Sequence, residues 1–337
     1  ESALPIFDRL TEAHPDVPAY RHEQAHVHHA LGYLLLKTHK LDRAREVLER
    51  GVSLSEQVVR ERPGVTEYER GLATLLHTLA FAHENQGQAT EARVLYQRSL
   101  PIQERMFARD PDNPDCQHAL AEILHDLGLN HQLAGQIPEA RALYERAMPI
   151  REQVANEHTT VADYQHCMIM TINNLGTLYK DTGEPAKAKA MFEKGLPACD
   201  RLARAQNEVP AYRELAHSLR LVLAGMRAAA GEHGPAIRET EEVLASPDPA
   251  ANVLYGAACV YSLASAAVGK DATIQEAERA ALVEKYAVRA VALLRQAAAR
   301  GLELPNQVKG DVDLVPLRGR TDFQKLLEEL EKKPGSH

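Results

Sequence analysis

A period of 48 residues runs through most of the sequence and constrains its fold more than any other feature. Leucines recur at this step at positions 31, 79, 127, 175 and 223, and each is followed by Gly or Ala. Alanines recur in the same register at positions 44, 92, 140, 188 and 236. Repeats of roughly 20 to 50 residues form arrays, because one unit cannot bury its apolar face without its neighbours. The chain of 337 residues is therefore predicted to contain five similar stacked units.

Each unit has the apolar spacing of two helices joined by a tight turn. In unit four the first helix carries Met168, Ile172, Leu175 and Tyr179, whose steps of four and three define one helical face. The turn carries Gly at positions 87, 135, 183 and 231, which suits the left-handed residue that ends a helix. The second helices carry the aromatic residues Tyr96, Tyr144 and Phe192, which are predicted to lie in the core.

Composition favours helices and excludes several classes of protein. Apolar residues make up 45% of the chain, aromatic residues only 5%, and the formal net charge is -8. That charge argues against a nucleic-acid partner, which usually requires a basic surface. The four cysteines lack metal or redox spacing, so we expect a reducing, cytoplasmic location. No uninterrupted apolar run approaches the roughly 20 residues of a membrane span, and no membrane partner is expected.

Prolines at positions 101, 149 and 197 lie inside the second helices, where the apolar spacing continues past them. We therefore predict kinks rather than breaks. The same register reaches Pro5, so residues 1–14 are predicted to be the second half of a helix from an incomplete repeat. The predicted organisation continues with five repeats over 15–250, an atypical helix pair over 251–301, and a loop with a capping helix over 302–333.

The units resemble the tetratricopeptide repeat, whose pattern is Leu-Gly-x-x-Tyr, a turn Gly, and Ala-x-x-x-Phe. Unit four matches it with Leu175, Gly176, Tyr179, Gly183, Ala188 and Phe192. The period exceeds the roughly 34 residues of the standard repeat and is similar to the lengthened repeats of kinesin light chain. The resemblance implies an all-α, right-handed solenoid, or superhelix, of antiparallel helix pairs. It also implies a protein-binding scaffold that is not an enzyme and needs no cofactor.

The C-terminal part resembles the repeat region that follows the kinase domain in large bacterial serine/threonine kinases. An Ala-rich helix over 274–300 is followed by the segment Asp311-Val-Asp-Leu-Val-Pro-Leu-Arg318. The sequence itself has no Gly-rich loop, Val-Ala-Ile-Lys or His-Arg-Asp motif, so a kinase domain is expected only upstream of Glu1. Two roles stay open: an interaction module that captures protein partners, or a regulatory or substrate-docking region of a kinase.

Positions that recur every 48 residues on successive first helices form columns, and one column is polar. It holds His29, His77, His125 and Asn173. The resemblance implies that first helices line a concave groove, where an Asn at this site often binds the backbone of an extended peptide. We predict a peptide-binding ladder at this column, because polar residues on an otherwise apolar helix require partners. The alternative is that these groups bond neighbouring helices or water.

Two columns flank this ladder and complete the predicted groove. The apolar one holds Tyr33, Phe81, Leu129 and Thr177, although Leu129 also fits ordinary packing between helices. The other holds His26, Thr74, Glu122 and Met170. Together they suit an extended peptide with mixed side chains. Because histidine occupies three ladder positions, binding is also predicted to change near pH 6.

One motif offers an alternative chemistry. The segment from His22 through Glu23 to His26 matches the His-Glu-x-x-His pattern of zinc hydrolases, with Glu46 as a possible third ligand. The segment is in repeat register, so its helix is already explained. With a turn near His39, position 26 should face roughly position 52, which leaves Glu46 about 9 Å away along the helix. We therefore predict no metal and no catalytic residue in this chain.

Overall fold

The computed structural model describes residues 4–302 and 305–331, and this part of the chain is helical with no strand. The chain divides into two compact units, residues 1–175 and 176–337, with the boundary inside one helix. The boundaries predicted from the sequence lie after residues 14, 250 and 301. Residues 1–3, 303–304 and 332–337, which include the ends of the predicted segments 1–14 and 302–333, lie outside the described residues.

The first unit consists of helices that alternate in the predicted register. They are α1 (Leu4–Ala13), α2 (Pro18–Lys37), α3 (Leu41–Glu61), α4 (Thr66–Asn85), α5 (Ala89–Arg109), α6 (Pro114–Leu133), α7 (Ile137–Glu157) and α8 (Ala162–Asp181), which crosses into the second unit. From α2 onward the first helices have 20 residues and the second helices 21. Consecutive helices pack against each other, as in an α-solenoid.

The second unit continues this register and then leaves it. Its helices are α9 (Pro185–Ala205), α10 (Pro210–Ala229), α11 (His233–Leu244), α12 (Ala251–Lys270), α13 (Glu276–Ala299), α14 (Pro305–Gly310), a 3₁₀ helix (Val312–Leu317) and α15 (Thr321–Glu331). Helix α11 has only 12 residues. Pro247 and Pro249 follow it and lack the N–H that a longer helix needs.

The end of the second unit corrects one prediction. Residues 302–317 were expected to form a loop, but they contain α14 and the 3₁₀ helix. The 3₁₀ helix forms because Asp311 caps it by accepting a hydrogen bond from the backbone N–H of Asp313 at 2.8 Å. Leu314 and Leu317 are thereby buried in the same core as Phe323 of α15.

Single internal prolines do not interrupt the 21-residue second helices. Helices α5, α7 and α9 continue through Pro101, Pro149 and Pro197, as predicted from the apolar spacing. The predicted core aromatic residues, Tyr96, Tyr144 and Phe192, are fully buried.

Helix α12 is strongly apolar, although Gly256, Ser262 and Ser265 interrupt its apolar run, as expected from the sequence. By length and composition it is the one helix of the described residues that could cross a membrane, with a mean hydropathy of 1.4. Within its most apolar 18-residue stretch, 67% is buried, as in the core helix of a folded unit. Packing against α10, α11 and α13 accounts for its apolar character.

The turns confirm the left-handed residue predicted between helices. Gly87, Gly135, Gly183 and Gly231 have φ between 73° and 94°. The first repeat has His39 at this position, with φ of 56°. A side chain in this conformation is strained by about 1 kcal/mol because Cβ approaches the backbone.

Replacing His39 with Gly should therefore raise the free energy of unfolding, by about 0.5 to 1 kcal/mol. The matched change Gly135→Ala should lower it by a similar amount. Urea denaturation followed by circular dichroism measures both. Stabilisation by Gly135→Ala would show that the turns do not hold this conformation in solution.

Candidate functional site

The histidine column connects successive first helices of the first unit. His29 Nε2 lies 3.0 Å from the hydroxyl of Thr78, and His77 Nε2 donates to Asp126 at 2.7 Å. His125 Nε2 lies 3.4 Å from the amide nitrogen of Asn174. Each contact spans 49 residues, so each ring bonds the residue beside its own column in the next repeat.

This arrangement favours the alternative in which the ladder bonds neighbouring helices. His125 is only 6% exposed, and its Nδ1 also lies 3.0 Å from the Thr171 hydroxyl. A ring held on both nitrogens has no free atom for a ligand backbone. The partner column of Thr78, Asp126 and Asn174 was not among the predicted site residues. The sequence does contain a signal for this column. Repeats two, three and four have a polar residue at this register position, whereas repeats one and five have Ala30 and Val222.

Neighbouring rings of the ladder have opposite charge preferences. Burial opposes protonation of His77, but the hydrogen bond and charge of Asp126, with Glu122 and Glu84, raise its pKa to about 9. Burial and the charge of Arg151 lower the pKa of His125 to about 4. Burial and the nearby rings of His26 and His77 lower the pKa of His29. At neutral pH the ladder therefore carries its positive charge on His77.

The prediction that binding changes near pH 6 required ladder histidines that titrate near pH 6, and two of them do not. His77 stays protonated and His125 stays neutral from pH 5.5 to 8, because their pKa values lie on either side of that range. Neither ring would switch charge near pH 6.

The flanking columns contain the accessible groups of the predicted groove. Tyr33 is 51% exposed and Phe81 is 48% exposed, although both are large aromatic residues. His26 is also exposed, and the remaining predicted positions are half-buried: Thr74, Glu122, Leu129, Met170 and Asn173, with Thr177 in the second unit. The aromatic pair and His26 are therefore the exposed part of the predicted site.

The zinc-hydrolase arrangement is not assembled around the histidine pair. His22 and His26 face each other with their Nε2 atoms 3.0 Å apart, and Glu23 is exposed. The adjacent cavity, of about 20 Å³, includes Ser55 of α3 in its lining. It holds roughly one water and no substrate. Glu46 is exposed and lies nine residues before Ser55, about 13 Å along the helix at 1.5 Å per residue.

Two other clusters place histidine beside carboxylates in the first unit. In one, the Nδ1 and Nε2 atoms of His77 face Glu122 at 4.0 Å and Asp126 at 2.7 Å, which is an ion-pair geometry. The other contains His118, Asp163 and Cys167. Burial raises the pKa of Cys167 to about 11, so its thiol stays protonated at neutral pH and is a poor metal ligand.

Comparisons with known proteins agree with this geometry. Tetratricopeptide-repeat family models match residues 25–58, 71–153 and 168–202. A similar solved structure is the signal-transduction ATPase with numerous domains and a tetratricopeptide-repeat sensor from Pyrococcus horikoshii. Its TM-score is 0.54 at 14% identity, over 86% of this chain and 39% of that chain.

Two further solved structures have similar folds. The nuclear import adaptor Nro1 of S. pombe has a TM-score of 0.53 at 12% identity, over 93% of this chain and 99% of that chain. The apo form of RapI has a TM-score of 0.54 at 11% identity, over 99% of this chain and 81% of that chain.

No curated protein matches the sequence significantly. The repeat register, the paired helices and the three family matches nevertheless agree along the chain. This chain therefore contains tetratricopeptide repeats over residues 25–58, 71–153 and 168–202.

Proposed function

We propose that this protein is a non-catalytic scaffold that binds an extended peptide of a partner protein across α2 and α4. The observation that carries the proposal is the half-exposed aromatic pair, Tyr33 and Phe81, at one register position of consecutive first helices. Aromatic residues are enriched among the residues that dominate binding energy at protein interfaces. Two at the same position of adjacent helices supply successive apolar contacts for one chain.

The groups around the pair suit a peptide of mixed composition. The ammonium group of Lys37 lies 5.2 Å from the centre of the Tyr33 ring, within the range of a cation–π contact. Half-buried Thr74 and Glu122 and exposed His26 add polar groups in the neighbouring column. A bound peptide with alternating apolar and polar side chains would therefore have a contact for each kind of side chain.

The histidine ladder supports this surface indirectly. The bonds from His29 to Thr78 and from His77 to Asp126 hold α2, α4 and α6 at fixed offsets. Fixing the platform before binding reduces the ordering entropy that association must overcome. In this proposal the ladder positions the aromatic pair, and the aromatic pair contacts the ligand.

A selection from a random twelve-residue peptide library on the immobilised chain tests the proposal. Synthetic peptides from the selection should bind the Phe81→Ser variant at least about tenfold more weakly, the range for a truncated interface aromatic residue. Fluorescence anisotropy measures the affinity.

The matched control for this test is Leu133→Ser, which removes an apolar side chain that is 75% exposed but lies in another column. It should leave binding unchanged. Equal losses of affinity in the two variants would exclude this surface as the peptide-binding site. Selected peptides that bind Phe81→Ser as tightly as the unmodified chain would exclude it as well.

A second candidate function is regulation within a larger signalling protein, including the predicted serine/threonine kinase. The observation that favours it is the Pyrococcus horikoshii neighbour, in which a tetratricopeptide-repeat sensor belongs to a signal-transduction ATPase. The gene region upstream of Glu1 tests this idea. If it encodes a kinase domain, deleting the repeats should change the activity or targeting of that kinase. An upstream region without a signalling domain would exclude it.

A further inference from the structure

The second unit contains a cavity of about 340 Å³ bounded by α10, α12 and the cap that precedes the 3₁₀ helix. This volume lies within the range of small-molecule sites, which is roughly 300 to 1,000 Å³. The cavity does not involve the aromatic pair of the first unit. It is therefore independent of the proposed peptide surface.

Most of the cavity wall is apolar. It is formed by Leu221, Met226, Val260 and Leu263, together with the bare backbone of Gly225. Gly225 occupies the register position that holds Tyr33 and Phe81 in earlier repeats. The absence of a side chain there leaves open space. A Cβ atom at Gly225 would lie 3.5 Å from Leu263 Cδ1, at ordinary contact distance, and a longer side chain would enter the cavity.

The remaining wall is acidic and ordered. Asp311 Oδ2 accepts a hydrogen bond from the Tyr255 hydroxyl at 2.5 Å, and the thiol of Cys259 lies 3.7 Å from the same oxygen. Asp313 pairs with the ammonium group of Lys180 at 2.6 Å. All five of these side chains have hydrogen-bond or ion-pair partners, so the carboxylates are held at the cavity.

The charges at this wall do not balance. Lys180 neutralises one carboxylate, and the guanidinium of Arg318 donates to the backbone carbonyl of Asp311 at 3.3 Å. The groups that donate directly to the Asp311 carboxylate are neutral, so three carboxylates, including the Asp181 side chain, face two cations at this wall. Asp181 adds a further acidic group nearby. Its pKa is raised, first by burial and then by the charges of Asp313 and Asp311, against the opposing effect of Lys180. The polar end of the cavity therefore favours a positive charge.

We propose that this cavity binds a small organic cation that combines a compact apolar body with one ammonium or guanidinium group. The apolar body contacts Leu221, Val260 and Leu263, and the cation lies against Asp311. A charge-assisted hydrogen bond to a carboxylate is stronger than one between neutral groups. An uncharged or anionic molecule of the same shape gains the apolar contacts but not this bond.

Methyl NMR of the full chain labelled at methionine tests the proposal. The chain has six methionines, and among them Met226 lines the cavity. A spectrum of Met226→Leu assigns its signal. Titration with 4-phenylbutylamine should shift the Met226 methyl saturably and leave the others in place. The amine should bind about tenfold more tightly than 4-phenylbutanol, and 4-phenylbutyrate should bind more weakly than either.

Three variants and one control distinguish the apolar part of the site from its acidic part. Gly225→Leu should remove amine binding by filling the cavity, whereas Ala230→Leu, on an exposed residue at the end of α10, should not. Asp311→Asn should reduce the preference for amine over alcohol to about twofold or less. Lys180→Met should strengthen amine binding about threefold, because it removes the competing cation. A purely structural role of Lys180 cannot produce that gain.

Several results would overturn the proposal. One is a Met226 signal that does not shift when 4-phenylbutylamine is added, and another is equal binding of this amine and 4-phenylbutyrate. A third is weaker amine binding by Lys180→Met while the fold is retained. A peptide with adjacent Phe and Arg offers the same chemistry from a protein partner. If it shifts Met226 and the free amine does not, the occupant is not a small molecule.

Discussion

Replacing Phe192 with Ala should lower the free energy of unfolding of the second unit by about 4 kcal/mol, because a buried aromatic ring is lost and the space is not refilled. Phe192 is 0% exposed. Its ring lies against the backbone of Gly176, where an added Cβ atom would meet the ring carbons at 2.6 and 2.7 Å. So close a contact cannot be restored by small side-chain movements.

The control is the same substitution at Phe81, which is 48% exposed. It should lower the free energy of unfolding by less than about 1.5 kcal/mol, since much of the ring already contacts water. Urea denaturation followed by circular dichroism compares the two variants. Similar losses would show that Phe81 is packed in solution, which would also contradict its proposed role in binding.

Raising the pH from 7 to 10 should lower the free energy of unfolding by about 2 kcal/mol through His77 alone. Its folded-state pKa of about 9 lies above the ordinary value of 6.5. The stabilisation is therefore complete below pH 6.5 and is lost as the pH rises through 9. One pKa unit corresponds to about 1.4 kcal/mol, and partial exposure of the ring reduces the total.

The variant His77→Gln isolates this effect, because other groups that titrate in the same range cancel in the difference from the unmodified chain. The difference in unfolding free energy should be largest near pH 6 and should vanish by pH 10. A difference that is constant with pH would mean that His77 is not protonated in the folded state. It would then contradict the ion pair with Asp126.

His125 should behave in the opposite way. Its folded-state pKa of about 4 lies below the ordinary value, so its neutral form stabilises the protein above pH 6.5. That contribution is lost as the pH falls toward 4. Two rings of one column thus respond to opposite ends of the pH range. Asp126 is hydrogen-bonded to the His77 ring, whereas burial and then the charge of Arg151 oppose protonation of the His125 ring.

Much of the fold follows from the sequence because its repeat makes every local signal recur. The leucine and alanine registers predicted where helices pair, and helices α2, α4, α6, α8 and α10 begin every 48 residues. The departures occur where the repeat ends. Pro247 shortens α11, and capping by Asp311 forms a 3₁₀ helix where a loop was expected.

The candidate site was predicted only in part. The columns were visible in the sequence, and one of them contained Tyr33 and Phe81. The sequence could not show which member of a column contacts solvent. A register position fixes the face of the helix on which a residue lies, but not the side chain that meets it from the next helix. The partners Thr78, Asp126 and Asn174 turn the histidines from candidate ligand groups into ties between helices.

The sequence by itself determined that this protein is an array of long tetratricopeptide repeats, because apolar periodicity and turn residues act locally and repeat. Only the tertiary structure decided which polar side chains are already satisfied and where space remains. His125 lost its candidate role through contacts made across repeats. Gly225 is an ordinary small residue in the sequence, and it became part of a candidate site only in the structure. The cavity walls around it come from α12 and the Asp311 cap, which are distant in the chain.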